Sequence, residues 1–506
     1  MSAENNENFV VDLMRGGFAR GDRPFLSTLG RVWRYADIET LSARLAGALI
    51  ARGMRPGDRL MVQVEKSPEN VALYLAALRA GFVYTPLNTA YTDAEVSYFL
   101  DDGAPAIFVC TPDRAPTLSV NRPAKTECLT LGSAGAGSLL AASDAAAPET
   151  GIATRHSDDL AVILYTSGTT GRSKGAMLTH GNLSANAAAL RAAWGFSGDD
   201  ILVHALPIFH IHGLFVALHT AMLAGATVRF LPKFDAHAVR EALDGASVMM
   251  GVPTFYARLL ADDQFTKEAC ATIRLFVSGS APLTAETHRA FLERTGHAIL
   301  ERYGMSEAGI ITSNPLDGAR VAGSVGYAVA DYDLRIVGDD GVAAPPDEAG
   351  VLEVRGPSLF KGYWRKPEKT AEAFRDGGWF STGDIGAVSE DGRLTLSGRQ
   401  KDLIIAGGYN IYPKEIEQRL DAIPGLVESA VIGAPHPDLG EGAIAVIVVD
   451  DAAPPTQEAI AKALSSLARF KRPRRIVRVD ALPRNAMGKV QKQVLRKTYE
   501  DSFRAT

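Results

Sequence analysis

Tyr165-Thr166-Ser167-Gly168-Thr169-Thr170-Gly171-Arg172-Ser173-Lys174-Gly175 follows directly on Leu160-Ala-Val-Ile-Leu164, an apolar run with the length of a buried strand. The segment crowds three glycines, a row of hydroxyl side chains and the cations Arg172 and Lys174 into one short loop. Glycine lets a backbone approach a ligand closely and adopt positive φ. Free N–H groups, hydroxyls and a lysine together make a cradle for anions. A plain flexible loop seldom needs cations and hydroxyls at this density, so a phosphate-bearing ligand is the first expectation. The Gly-Lys-[Ser/Thr] ending of a Walker A loop is missing.

Outward from this strand the pattern alternates. Helical spacing over 38–52 and 68–79, and again over 92–100, is interleaved with strand-like runs at 60–64, 82–86 and 106–110. Such alternation predicts an α/β fold, mostly parallel sheet with helices on both faces. Residues 111–155 are rich in Ala, Gly, Ser and Pro and read as a surface excursion. After about residue 320 the pattern turns to short strands separated by Gly338-Asp-Asp-Gly341 and Glu390-Asp-Gly392, the signature of a small β-rich subdomain spanning about 320–398. Beyond Gly398-Arg399 comes a compact α+β pattern, with helices expected over 413–420 and 456–469 and strands over 427–432 and 443–449. The expected organisation is a large N-terminal domain, 1–398, followed by a smaller domain, 399–506.

Composition narrows the class. Of 506 residues, 46% are hydrophobic and 22% charged, with a formal net charge of −5, which gives no reason to expect nucleic acid or an anionic membrane as partner. Cys110, Cys128 and Cys270 show no paired spacing, which argues against a disulfide framework and fits a reducing compartment. The first eight residues are polar and acidic, unlike a secretory signal, so a cytoplasmic protein is expected. The apolar stretch 205–228 is broken by Pro207 and three histidines and reads as buried strand, loop and helix. His204, His210 and His212 could suggest zinc, but no Cys or carboxylate accompanies them.

Three further segments carry chemistry. Arg302-Tyr303-Gly304-Met305-Ser306-Glu307 ends in a carboxylate able to serve Mg²⁺ beside a phosphate cradle. Ser381-Thr-Gly383-Asp384 places a carboxylate after a tight turn, where it could accept both hydroxyls of a ribose. Leu482-Pro-Arg-Asn-Ala-Met-Gly488-Lys489 isolates a lysine in a Pro/Gly-bracketed loop. Each alone is ordinary, since helix-start acids, turn acids and surface lysines are common.

Together with Gly279-Ser280-Ala281-Pro282-Leu283, Gly398-Arg399-Gln-Lys401-Asp402 and Gly407-Gly408-Tyr409, these segments resemble the adenylate-forming acyl-CoA synthetases over nearly the whole chain. The resemblance implies that a carboxylate attacks the α-phosphate of Mg·ATP to give acyl-AMP and pyrophosphate, and that CoA then displaces AMP. It implies that Thr166, Ser167, Gly168, Thr169, Thr170, Gly171 and Lys174 hold phosphates, and that Glu307 with Thr169 serves Mg²⁺. Ser280, Ala281 and Pro282 are expected to line adenine and the acyl group, together with Arg302, Tyr303, Gly304, Met305 and Ser306. Asp384 and Arg399 are expected on the ribose and Lys489 on the reacting carboxylate. It further implies a swing of the C-terminal domain about Lys401 that brings Gly407, Gly408 and Tyr409 to a pantetheine tunnel. Related synthetases are silenced by acetylation of the catalytic lysine, which makes an acetyltransferase and deacetylase acting on Lys489 expected partners.

Within the family the chain is most similar to malonyl-CoA synthetases, through Gln63-Val-Glu-Lys66, Pro86-Leu-Asn-Thr-Ala-Tyr91, His204-Ala-Leu-Pro207, His210-Ile-His-Gly213 and Met250-Gly-Val-Pro-Thr-Phe-Tyr256. A dicarboxylate cannot leave its distal carboxylate buried and unpaired. Arg258 is the first expected partner, His210 the second and Arg289 the third; His210 has a competing role as a gate near the acyl group. Ala308-Gly309-Ile310-Ile311 departs from the more polar residues and Met that malonyl-CoA synthetases usually carry, which opens the pocket to an α-substituent such as that of methylmalonate. A medium-chain or aryl acid ligase, a non-catalytic nucleotide-binding regulator and a carrier-loading module are the competing readings.

Overall fold

The computed structural model describes residues 6–120, 122–132, 135–166, 173–329, 331–338, 340–485 and 488–503. Two sheets form its larger part. The first runs in the order Glu127–Thr130, Ile107–Cys110, Arg59–Gln63, Val83–Pro86, Leu160–Thr166 and Lys174–Thr179. All pairs are parallel except the last, an antiparallel pair in which Thr166 faces Lys174 and Tyr165 faces Gly175. The glycine-rich segment is therefore the connection of a hairpin on the edge of a parallel sheet.

The second sheet begins with Val32–Arg34 and Pro24–Ser27 and continues through Thr227–Phe230, Ile201–His204, Val248–Gly251, Leu275–Ser278 and Leu300–Met305. From Pro24–Ser27 to Leu300–Met305 every neighbouring pair is parallel. At Leu300–Met305 the ladder turns antiparallel through Gly309–Ser313, and it goes on without a break to Ser324–Ala328, Leu394–Arg399, Trp379–Val388, Gly350–Arg355 and Asp333–Val337. The β-rich stretch expected after about residue 320 is thus hydrogen-bonded to the parallel sheet as one ladder.

Sequence and local structure agree best where caps are explicit. Helix Pro68–Arg79 starts at Ser67, whose side chain accepts from Asn70 N–H, with proline in the first turn. Helix Asp93–Gly103 starts at a Thr92/Glu95 capping box. They agree least over 111–155, which holds a sheet strand, Glu127–Thr130, and two helices, Ala115–Val120 and Ser138–Ala145, rather than a bare surface excursion. Small side chains hide this packing: helix Tyr35–Ala51 carries Gly47 where any Cβ would collide with the backbone carbonyl of Ala147. Helix Gln457–Ser465 stops short of the expected 469, where Ser465 and Ser466 turn back to accepting carbonyls of their own helix, Lys462 and Ala463.

A third sheet, with Leu426–His436 paired to Gly440–Val449, Ile404–Ala406 and Tyr409–Ile411 beyond, and Arg475–Arg478 added in parallel, forms the smaller part. Each face of it has its own apolar cluster: Ile416, Leu420, Val431 and Ile447 on one side, Ile432, Ile444, Val446 and Leu495 on the other. Among the described residues no helix is long and apolar enough to cross a membrane.

Candidate active site

The hairpin that carries the glycine-rich segment is gripped from both sides. Tyr165 Oη donates to Asp102 Oδ2 at 2.7 Å. On the other flank 361–364 lies against the strand: Lys361 N–H donates to Met177 O, Met177 N–H to Gly362 O and Trp364 N–H to Gly175 O. Ser167, Gly168, Thr169, Thr170 and Gly171 fall outside the described residues. Of the expected phosphate ligands, Thr166 and Lys174 are placed, at the two mouths of the hairpin, and Thr166 Oγ1 donates to Lys174 O. Lys174 Nζ stands 4.1 Å from the centroid of the Tyr363 ring, and Tyr363 Oη donates to Glu307 Oε1 at 3.1 Å. Tyr363, which sequence reasoning missed, thus links the lysine to the acidic end of the Arg302–Glu307 segment. Burial pushes the Glu307 carboxyl upward, against the Tyr363 hydrogen bond and the charges of Arg399 and Lys174. No lysine or arginine forms an ion pair with Glu307 among the described residues, which leaves a hard oxygen donor for a cation.

Antiparallel pairing brings the two ribose candidates together. Asp384 faces Arg399 across two neighbouring strands and forms an ion pair with it. Asp384 also accepts from Tyr303 Oη, and its backbone N–H donates to Thr382 Oγ1. The adenine-loop candidates adjoin: Ser280 adopts a left-handed φ of 71°, Ala281 is half-buried and Pro282 exposed. Leu283 N–H donates to buried Glu301, whose carboxyl burial pushes up to about 7. Gly304 lies against Gly309 O and Ile310, so a side chain there would close the strand pair; Met305 and Ser306 are half-buried.

Arg302 was expected to border adenine and the acyl group. It is 5% exposed, and its Nε and Nη2 have no hydrogen-bond partner among the described residues. A Cβ at Gly279 would collide with its guanidinium, so glycine there makes room for the arginine. His210, His212 and Tyr256 lie within its electrostatic reach. Burial lowers Arg302 to about 9 and His210 to about 3, with the charges of Arg302 and Lys489 adding to the effect on His210. His212 N–H donates to His210 Nδ1, and Ser280 Oγ lies 3.3 Å from His212 Nδ1. Ile310 is fully buried, its backbone N–H and O both bonded to the Asn186 amide.

Two expected carboxylate partners are placed elsewhere. Arg258 is exposed on helix Pro253–Leu260, while Tyr256, two residues earlier, points inward and donates to Val277 O. The helical period turns Arg258 away from the side that Tyr256 occupies. Arg289 is exposed on helix Ala285–Thr295, whose buried residues are His288, Phe291 and Thr295. The buried cation of this region is Arg302.

From the smaller part, Gly488, with φ of 73°, comes so close to helix Pro253–Leu260 that a Cβ would stand 3.1 Å from Thr254 Oγ1. This seats Lys489 where it feels Arg399, Asp384, Asp402 and Glu307; the surrounding protein, then Arg399, lowers its pKa. Lys401 is likewise lowered to about 8, first by burial, and its backbone carbonyl accepts from Arg496 Nη1 at 2.9 Å. Gly407 and Gly408 form a positive-φ turn, and Tyr409 beside them is 58% exposed with its ring stacked on Phe470.

The model of the AMP-binding enzyme family matches residues 17–364, and that of its C-terminal domain matches residues 415–489. The chain belongs to the AMP-binding enzyme family. Among its relatives are a feruloyl-CoA synthase of Amycolatopsis sp, 36% identical over 93% of this chain and 94% of the relative, and a malonate–CoA ligase of Arabidopsis thaliana, 34% identical over 89% and 79%. The crystal structure of ATP-bound MatB from Rhodopseudomonas palustris is 49% identical and covers 99% of this chain and 100% of its own, with a TM-score of 0.95; apo MatB superimposes with a TM-score of 0.86.

Burial of histidines makes stability depend on pH. His180, His210 and His219 are held down to about 4, 3 and 3, in each case chiefly by desolvation. An unfolded histidine titrates near 6.5, so in this window the unfolded chain binds more protons and stability falls as pH falls from about 6.5 towards 4. Raised carboxyls such as Glu301 act in the opposite sense, so the difference from a variant isolates the effect. In urea unfolding, His219→Gln is expected to show a slope of stability against pH shallower by about one proton, roughly 1.4 kcal/mol per pH unit. Equal slopes would contradict the assignment.

Proposed function

We propose that this protein is an ATP-dependent ligase that joins malonate, or its α-methyl homologue, to CoA through an acyl-adenylate. The observation that carries the reading is Arg302, a buried guanidinium with two nitrogens that have no partner among the described residues, beside neutral His210 and His212. Burying a cation in this way is costly unless an anion completes it, and the distal carboxylate of a short diacid is such an anion. The malonate–CoA ligase among the relatives supports the same acid. A buried apolar Ile310 and Ile311 favour a methyl group beside the carboxylate over a further polar contact.

In this reading the free acid's oxygen forms a bond to the α-phosphorus of ATP while the α–β P–O bond breaks and pyrophosphate leaves. The CoA thiolate then forms the C–S bond as the C–O bond to AMP breaks. Thr166 and Lys174, with Ser167, Gly168, Thr169, Thr170 and Gly171, hold the leaving phosphates. Tyr303 and Ser306, with Ser280, Ala281 and Pro282, enclose adenine, Gly304, Met305 and Ile310 border the acyl group, and Asp384 with Arg399 holds the ribose. Glu307, with Thr169, fits Mg²⁺, because a buried carboxylate without an ion-pair partner is the hard oxygen donor this ion takes. When bound, Mg²⁺ offsets phosphate charge. Lys489 brings a cation to the point where carboxylate and phosphate, both anionic, must meet; such a preorganised charge is worth about two to three orders of magnitude in rate.

The larger part, 1–398, and the smaller, 399–506, are the two bodies of the proposed cycle, and Lys401 is the pivot. The higher TM-score to ATP-bound than to apo MatB supports a pose for the first half-reaction. Rotation would withdraw Lys489 and bring Gly407, Gly408 and Tyr409 to the pantetheine arm. Cys110, Cys128 and Cys270, none of them in a disulfide among the described residues, suit the reducing cytoplasm, where we place the protein. A lysine acetyltransferase acting on Lys489, and a deacetylase reversing it, are proposed partners.

Three measurements test these assignments. Pyrophosphate release with ATP and CoA should favour malonate or methylmalonate over succinate, acetate, hexanoate and benzoate. Arg302→Met should lose that preference by about a hundredfold, whereas exposed Arg258→Ala stays within about twofold; a monocarboxylate preference in the parent protein sinks the dicarboxylate reading. Lys401→Pro should slow thioester formation more than ATP–pyrophosphate exchange, and equal losses would refute the pivot. Quantitative acetylation at Lys489 should abolish exchange, and retained activity removes this lysine from the reaction.

A further inference from the structure

Lys66 has no place in the chemistry above, yet its surroundings are unusual. It follows strand Arg59–Gln63 of the first sheet and immediately precedes Ser67, the cap of the next helix. Its ammonium crosses the seam between the two large sheets. Nζ lies 2.8 Å from His204 Nδ1 and donates to His204 O at 2.9 Å; it also stands 4.3 Å from the centroid of Phe230. His204 and Phe230 are the last residues of neighbouring parallel strands and are paired in register. The carboxyl ends of both sheets, where open α/β folds receive their ligands, are therefore tied together by one lysine. No Asp or Glu forms an ion pair with Lys66 among the described residues, and crowding by protein atoms lowers its pKa well below the usual lysine range.

The hydrogen bonds define what this lysine does to His204. Gly213 O lies 2.9 Å from His204 Nε2. A carbonyl can only accept, so Nε2 carries the ring proton. His204 is kept neutral by burial, and then by the Lys66 charge, so Nδ1 is the acceptor and receives a proton donor from Lys66. Gly213 in turn donates its N–H to His210 O. A Cβ at Gly213 would collide with Pro207 O, so this turn has no slack. Gly213 belongs to the first turn of the π-helix His212–Leu218, a rare geometry that is concentrated at functional sites. His212 opens this helix and His210, which accepts from Gly213 N–H, lies two residues before it; these are the two imidazoles within reach of Arg302.

We infer that Lys66 is a positioning residue of the acid pocket: by fixing the tautomer and orientation of His204, it holds Gly213 and thereby sets His210 and His212 around Arg302. It touches neither substrate nor nucleotide. This inference deepens the dicarboxylate reading and rests on it.

The test compares Lys66→Met, Lys66→Gln and Lys66→Arg in the full-length protein, each first checked for folding by thermal unfolding. Kinetics use whichever acid of the panel the parent protein turns over best, so failure of the dicarboxylate reading is seen in the parent alone. In the folded variants, KM for the acid is expected to rise about tenfold for Met, a shift of the size that one lost charge-assisted hydrogen bond produces, while KM for ATP stays within about twofold. Arg, which keeps cationic donors, is expected to recover most of the loss. If Met does not fold, the same split is read from Gln and Arg. A merely structural bridge between the sheets would raise both KM values together or lower only the melting temperature. Either result, or an unchanged KM for the acid in every folded variant, overturns the inference.

Discussion

Every group in this cleft answers to one electrostatic constraint: two anions must be brought into bonding contact inside protein. Like charges at that distance repel strongly in a low-dielectric site, so the protein has to supply positive charge that is not already neutralised. Lys174, Arg302 and Lys489 meet this in different ways. Lys174 is held over an aromatic face, Arg302 keeps two nitrogens without partners, and Lys489 arrives from the smaller part of the chain. Among the described residues the carboxylates nearby form no ion pair with these cations: Asp384 pairs with Arg399 and accepts from Tyr303, and Glu307 accepts from Tyr363. That division keeps the cations available.

The histidines complete the arrangement through neutrality. His204, His210 and His212 are desolvated, and burial keeps their charged forms out of reach near neutral pH. They present directed donors and acceptors without adding charge of their own. A neutral imidazole beside a guanidinium avoids the repulsion that a second cation would bring.

How much of this could be read from sequence depends on where the information lies. Helix Pro68–Arg79 was legible because Ser67, proline and the apolar period all sit within one short window. The glycine-rich segment, Glu307, Asp384 and Lys489 stood out as candidates because their motifs are local and occur in a fixed order. The packing of 111–155 was not, since alanines and glycines give no periodic signal while Gly47 silently provides the space. Arg258 was the first expected carboxylate partner because sequence shows a charge without showing which way it faces; the helix turned Arg258 outward, whereas the strand buried Arg302. The Lys66–His204 contact spans 138 residues and two sheets, and no local pattern encodes it.

The continuity of the second sheet has a consequence for how such a protein can change its diet. Arg302, Asp384 and Arg399 stand on strands of one unbroken ladder, so the spacing between the proposed acid and sugar pockets is built into a backbone lattice that a point substitution barely alters. The hairpin expected to hold phosphate belongs to the other sheet, which meets the ladder through the Lys66 contact at the seam and through the backbone bonds of 361–364 to Gly175 and Met177. The ladder works as a ruler and the seam as its sliding jaw. Drift toward a longer or bulkier acid is therefore easiest by altering the residues that set the jaw, while the graduations stay where they are.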